Sequence, residues 1–217
     1  MSAHGYSSQL GQDAFLDRCV FFGARDRVIV DVGAHDGVTF SNSLFFEQQR
    51  GWHAVCIEPN PTVFARLVGN RTATCLPFAV GVRPGHAEFT ALSGYNEMLS
   101  GLTAGYDRRH LRRIERDLTR HGGTRSTESV EVKRLDALLH DAGVDHVDVL
   151  TVDIEGGELD ALRSIDLQSF GVEAVVVENN YGGGAVRKEM RRQGYQLLVS
   201  IGWDDVFVPR PWTVLVA

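Results

Sequence analysis

Five short apolar runs, separated by segments long enough for crossover helices, constrain this chain more than any other feature. The runs cover residues 27–31, 53–58, 74–80, 147–153 and 172–178. Strands apolar on both faces suit a parallel sheet covered by helices rather than a one-sided antiparallel sheet. Residues 39–49, 61–68, 134–141, 157–167 and 184–192 read as the helices between and after them. Pro61 suits a first helical turn with Asn60 as its cap, and Gly194 ends the last helix. The alternation predicts an α/β fold built on a doubly wound, mostly parallel sheet. The C-terminal end breaks the rhythm. Residues 195–201, 206–208 and 212–216 read as strands with no helix between them, which predicts antiparallel pairing at one sheet edge.

The chain has 217 residues, enough for one well-cored domain. Residues 1–217 are therefore expected to form a single domain, with 1–26 as an N-terminal cap segment and 93–127 as an insertion. The formal net charge of −6 argues against a general nucleic-acid binder, which carries a basic footprint. Cys19, Cys56 and Cys75 show no CxxC pair and no metal-ligand spacing, so they are expected to be buried free thiols in a reducing compartment. The first twelve residues lack a charged-then-apolar signal pattern, and no apolar run approaches the roughly 18 residues of a membrane span. These features predict a cytoplasmic protein with no membrane partner.

The first run leads into the most informative segment, Val28-Ile29-Val30-Asp31-Val32-Gly33-Ala34-His35-Asp36-Gly37. A glycine turn between strand and helix lets backbone N–H groups approach a ligand closely. A dinucleotide site would show G-x-G-x-x-G, but here the spacing is Gly33-x-x-x-Gly37 with an acid two residues before the first glycine. A carboxylate there repels a pyrophosphate and suits an ammonium group, which favours S-adenosylmethionine over a nicotinamide cofactor. Gly33 and Ala34 are expected to leave room for its methionine moiety, and His35 is either a cofactor contact or a polar loop residue.

Ligands of open α/β sheets bind beyond the carboxyl ends of the strands. Asp31, Glu58, Asp153 and Glu178 should all lie at that edge. Glu58, 21 residues past Gly37 in Ile57-Glu58-Pro59-Asn60, can accept both ribose hydroxyls. Asp153 lies in Asp153-Ile154-Glu155-Gly156-Gly157-Glu158, on a strand expected to be central and next to the first. Its acids need partners, because buried carboxylates must be paired or hydrogen-bonded; Glu158 suits the N-terminus of the next helix. Glu178, followed by Asn179-Asn180-Tyr181, would frame with Asp153 either an acceptor group or a divalent cation such as Mg²⁺, which carboxylate and amide oxygens suit. Asp204 and Asp205 read as a turn pair.

In this order, the motifs resemble a class I S-adenosylmethionine-dependent methyltransferase, specifically the FkbM family. The matching pieces are Ser8-Gln9-Leu10-Gly11-Gln12-Asp13, the segment from Asp31 to Gly37, Ser41-Asn42-Ser43, Gly51-Trp52, Ile57-Glu58-Pro59-Asn60-Pro61, the segment from Asp153 to Glu158, and Glu178. The resemblance implies a seven-stranded sheet with a reversed last strand, and methyl transfer to a hydroxyl of a sugar or small secondary metabolite. By motif match, Asp31, Gly33 and Gly37 would line the methionine end, Glu58 the ribose and Phe78-Ala79 the adenine, with Ala34, His35, Pro59 and Asn60 as further cofactor-site residues. Ser41 and Gln12 would complete the cofactor site, with Asp153 at its junction with the acceptor. Asp153, Glu178 and Glu155 are the candidates for the base. A short-chain dehydrogenase is disfavoured, since no Tyr-x-x-x-Lys pair is present.

Residues 93–127 stand outside the alternation. They comprise a loop and a basic helix in which Leu111, Ile114 and Leu118 form one stripe, flanked by Arg108, Arg109, Arg112, Arg113, Arg116 and Arg120. Either this is a solvated face, or it is a lid that attracts an anionic small-molecule acceptor.

Overall fold

A computed structural model describes residues 5–180 and 183–212. In chain order the strands are β1 Val28–Val32, β2 His53–Ile57, β3 Thr74–Leu76, β4 Ala79–Val80, β5 Gly85–Leu92, β6 Gly101–Leu102, β7 Arg125–Lys133, β8 Val149–Val152, β9 Ala174–Glu178, β10 Tyr195–Ile201 and β11 Asp204–Pro209. The α-helices are α1 Gln12–Phe15, α2 Pro61–Asn70, α3 Arg108–His121, α4 Leu135–Asp141, α5 Glu158–Arg163 and α6 Gly184–Arg192.

Seven strands form one sheet in the order β10-β11-β9-β8-β1-β2-β3. β1, β2, β3, β8 and β9 run parallel, while β11 is antiparallel to both β9 and β10. This is the class I methyltransferase sheet, with its reversed strand, β11, inserted between β9 and the edge strand β10. The two faces of the sheet bury two separate cores. Val30, Val32, Leu150, Val152, Val175 and Val177 face α4, α5 and α6. Ile29, Val149, Ala174 and Val176 face Leu16, Phe45, Phe46 and Trp52. Successive residues of a strand point to opposite faces, so both sets come from the same strands.

The structure corrects several boundaries. Residues 74–80 are two strands: β3 closes the main sheet, and β4 begins a second one. That second, four-stranded sheet has the order β4-β7-β5-β6. Its long pair, β5 and β7, runs antiparallel from Gly85↔Val132 to Leu92↔Arg125. Sequence reasoning missed both strands, because one face is solvated and the run Glu128-Ser129-Val130-Glu131-Val132-Lys133 carries its apolar residues only at alternate positions. The helix expected over 39–49 becomes helical only at Leu44 and runs as a π-helical turn through Phe46–Arg50. The helix expected over 157–167 is the shorter α5. The strand expected at 212–216 falls almost wholly outside the described residues. Asp204 and Asp205 are not a turn pair: they open β11, opposite Glu178 and Val177 of β9. Cys56 is buried but Cys19 is exposed.

Candidate active site

The carboxyl ends of β1, β2, β8 and β9 open into a cavity of about 540 Å³, inside the range of small-molecule sites. The second sheet and the segment between β5 and β7 wall its other side. Gly33, Glu58, Phe78, Asp153, Glu155 and Glu178 line it, together with His35, Pro59, Asn60 and Ala79. The edge expected to gather the strand-end acids therefore does gather Glu58, Asp153 and Glu178.

Asp31 is the exception. It shares a sheet face with Ile29, away from Val32, and it does not line the cavity. Its carboxylate is buried and occupied: Ser43 Oγ donates to Oδ2 at 2.6 Å, and Thr151 Oγ1 donates to Oδ1 at 2.7 Å. The structure therefore does not bring Asp31 to the cavity with the other strand-end acids. Gln12, Ala34, Gly37 and Ser41 are also not among the residues that line the cavity. The Gln12 amide donates to Asp204 at the start of β11. The Ala34 N–H donates to the Ile57 carbonyl at 3.1 Å. Arg71 takes the Gly37 carbonyl at 2.9 Å and Ser41 Oγ at 3.3 Å.

Gly33 is glycine for a reason other than cofactor clearance. Its φ is +90°, and a Cβ there would lie 1.8 Å from the Asp153 carbonyl oxygen. The first loop thus packs directly on the backbone that carries the acid motif.

Glu58 sits just past β2 and faces the cavity. Its Oε1 accepts the Asn60 N–H at 2.8 Å and its Oε2 accepts the His35 N–H at 3.2 Å. A carboxylate offers about four lone-pair sites, so capacity remains for two hydroxyl donors. Burial pushes this carboxyl up to about 7, against those two backbone hydrogen bonds and with help from Glu97. Asn60 also caps α2, accepting from the Thr62 and Val63 N–H groups. Across the mouth, Glu97 binds His35 Nε2 at 2.9 Å and also pairs with Arg66.

At the other end, Asp153, Glu155 and Glu178 each bring one oxygen within 4.8 Å of the others. Enclosure raises all three, and their mutual repulsion, with Asp204 and Glu158, raises them further. Glu178 bears on Asp153 in the sense that lowers it, while Asp153 raises Glu178. An acidic cluster of this kind is accounted for by carboxyls that hold protons. Glu158 is not part of the cluster's open face: it folds back to accept the Gly156 and Ile154 N–H groups at 2.8 and 3.2 Å.

Several wall residues were not read from the sequence as site residues. Gln9, Phe40, Tyr95, Glu97 and Trp203 all line the cavity. Of the six arginines around the basic helix, Arg113 is the one that reaches it. Phe40, Tyr95 and Trp203 are 47%, 72% and 45% exposed, which puts an aromatic rim at the mouth. Backbone strain offers a signal that only the structure carries. Among the described residues five non-glycines have positive φ, and three of them, His35, Phe40 and Glu155, line the cavity. Such conformations persist where the surroundings over-determine them, often at functional sites.

The family model of the FkbM methyltransferase domain matches residues 31–197, most of the chain. The chain belongs to the FkbM methyltransferase family. The 2-O-methyltransferase NoeI of Sinorhizobium fredii (strain NBRC 101917 / NGR234) is 28% identical over 144 residues, covering 63% of this chain and 56% of that protein. The match therefore spans little more than half the length of the curated relative. The crystal structure of an FkbM methyltransferase from Methylobacillus flagellatus superposes with a TM-score of 0.53 at 14% identity, over 93% of this chain and 48% of that one. At that identity the FkbM likeness extends to the fold. Among the described residues no helix is long and apolar enough to cross a membrane.

The raised acids make the stability of this FkbM-family chain pH-dependent. A carboxyl whose folded value exceeds its unfolded value, near 4, adds stability that is complete below the unfolded value and lost as pH rises through the folded one. Glu58 and Asp153 lie at about 7 and Glu155 at about 8. The ligand-free protein should therefore melt at progressively lower temperature as pH rises from about 5.5 to about 8. The lowered acids, such as Asp17, Glu47 and Asp205, are fully ionised throughout that window and contribute no slope. Glu178→Gln removes one of the repelling acids and should flatten the curve in differential scanning fluorimetry. An unchanged slope in that variant would mean that the cluster does not set it.

Proposed function

We propose that this chain is an S-adenosylmethionine-dependent O-methyltransferase acting on a hydroxyl of a sugar or small metabolite. The observation that carries the reading is the pairing, across one cavity, of Glu58 at the end of β2 with the acids Asp153, Glu155 and Glu178 at the ends of β8 and β9. The residues present suit the cofactor. Glu58 retains lone pairs for a ribose diol, Val63, Ile57 and Phe78 give an apolar wall for a flat base, and Asp153 stands at the junction with the acceptor half. When bound, S-adenosylmethionine supplies an electrophilic methyl group on a sulfonium.

The protein's part is alignment and proton acceptance. Asp153 accepts a hydrogen bond from the acceptor hydroxyl and takes its proton as the oxygen becomes bonded to carbon. Glu178 holds Asp153 in the ionised form. Alignment supplies an orientation advantage, and a positioned base typically adds about 10²–10⁴-fold. We assign residues 93–127 the role of a lid over the acceptor, with Arg113 as the cation an acidic acceptor group would meet. NoeI, by its name a 2-O-methyltransferase, supports an oxygen acceptor over a nitrogen one.

The test is calorimetry with S-adenosylmethionine, followed by a product-mass screen for an added methylene across candidate hydroxylated metabolites. Binding with an added methylene on oxygen is the expected result. Binding without any methylated product would favour a non-catalytic binding module on the same fold, and no binding would sink the cofactor assignment. Activity that survives thorough chelation excludes a cation-assisted version.

A further inference from the structure

His110 lies on α3 and is 2% exposed. Its Nε2 faces the Leu99 carbonyl at 3.3 Å. A carbonyl can only accept, so the ring hydrogen belongs on Nε2. Tyr106 fixes the ring further: it stacks on the imidazole at 4.6 Å with a 28° interplanar angle and donates its hydroxyl to the same Leu99 carbonyl at 2.8 Å. With the hydrogen on Nε2, Nδ1 presents a lone pair, and it stands 3.3 Å from Glu155 Oε2. Glu155 Oε2 is shut off from solvent and has no completed hydrogen bond among the described residues. Two facing lone pairs make a bond only when a proton lies between them. Glu155 itself is held at a positive φ of 56°, so the contact is built into the loop.

We propose that His110 is a positioning residue of the acceptor site: its Nδ1 accepts a hydrogen bond from the protonated Glu155 carboxyl, holding that acid neutral so that the three-carboxyl cluster carries its one negative charge on Asp153. Each of the other two acids then has its own partner. Glu178 donates to Asp153, and Glu155 donates to His110. The arrangement rests on the methyl-transfer reading for its purpose but not for its existence. Burial keeps the imidazole below its ordinary value and Glu155 above its own, as this proton placement requires. The charged groups that bear on the pair are Asp153, Glu158, Arg113 and Asp107, with Glu178 and Tyr106 as neutral neighbours.

Long-range ¹H–¹⁵N spectra of the labelled protein at pH 7 test the pair without any substrate. The expected result for His110 is a hydrogen on Nε2 and a bare Nδ1 whose shift moves in Glu155→Leu. An imidazolium with both nitrogens protonated, a hydrogen on Nδ1, or a resonance indifferent to Glu155→Leu would each overturn the proposal. Turnover provides the second arm, using the acceptor found in the mass screen. His110→Leu removes the acceptor of the Glu155 hydrogen bond, so the acid limb of the kcat profile should move up by at least half a pH unit with the KM for S-adenosylmethionine unchanged. His110→Gln can bridge Leu99 and Glu155 with its amide and should restore the wild-type limb. A purely structural role would lower kcat at every pH in both variants and leave the limb in place. If the wild type yields no methylated product, the methyl-transfer reading fails, while the spectra still decide the His110–Glu155 pair.

Discussion

Asp153→Ala should cut methyl transfer by about 10³-fold or more while the protein stays folded and binds S-adenosylmethionine. The magnitude combines loss of a positioned base, about 10²–10⁴-fold, with loss of the contact that aligns the acceptor. The fold should survive because Asp153 lies just past the end of β8 and faces the cavity rather than the core. Single-turnover measurement of methyl transfer, with a melting curve as control, reads both quantities. Near-normal turnover in a folded variant would show that another group takes the proton.

The second large effect is structural. Gly33→Ala should destabilise the protein by about 3–5 kcal/mol and lower its melting temperature by roughly 10 °C. A side chain at φ +90° is strained, and its Cβ would overlap the Asp153 carbonyl oxygen, which is backbone and cannot swing aside. Relief requires β1 and β8 to part at their carboxyl ends, where Val32 pairs with Val152. The variant should therefore lose cofactor affinity along with stability, since the same movement displaces Asp153 from the cavity. A melting temperature within 2 °C of the parent would refute this packing. The contrast with Gly37 is useful. A Cβ there would meet Leu67 and Arg71 side chains at 2.6 Å, which can move, so the milder loss belongs to Gly37→Ala.

Much of the fold was legible because the strands of a covered parallel sheet are apolar throughout, and Val28–Val32, Val149–Val152 and Ala174–Glu178 stand out from their surroundings. The second sheet was not, because β5 and β7 bury one face only and resemble a polar loop. Asp31 illustrates a signal that was present and unused. Strand alternation from Ile29 to Val32 sets Asp31 on the face of Ile29, and the same count along β8 sets Thr151 opposite it. That arithmetic alone separates Asp31 from Val32 and the cavity. His110 carried no such signal. It is one polar residue in an arginine-rich helix, and what distinguishes it is a carbonyl eleven residues earlier and an acid 45 residues later.

The second sheet has a consequence for how acceptor choice can change. The chain leaves β5 at Leu92 and re-enters β7 at Arg125, and these two residues are register partners. The ends of the intervening segment are therefore held side by side by a ladder that does not depend on what lies between them. Residues 93–124 are a cassette on a fixed socket. The cavity wall at Phe78 and Ala79 and the acids at the ends of β8 and β9 belong to the socket; Tyr95, Arg113 and His110 belong to the cassette. Grafting that segment from a family member with a different acceptor should move selectivity as a unit. The graft must bring its own counterpart to His110, or the proton arrangement beneath it changes as well.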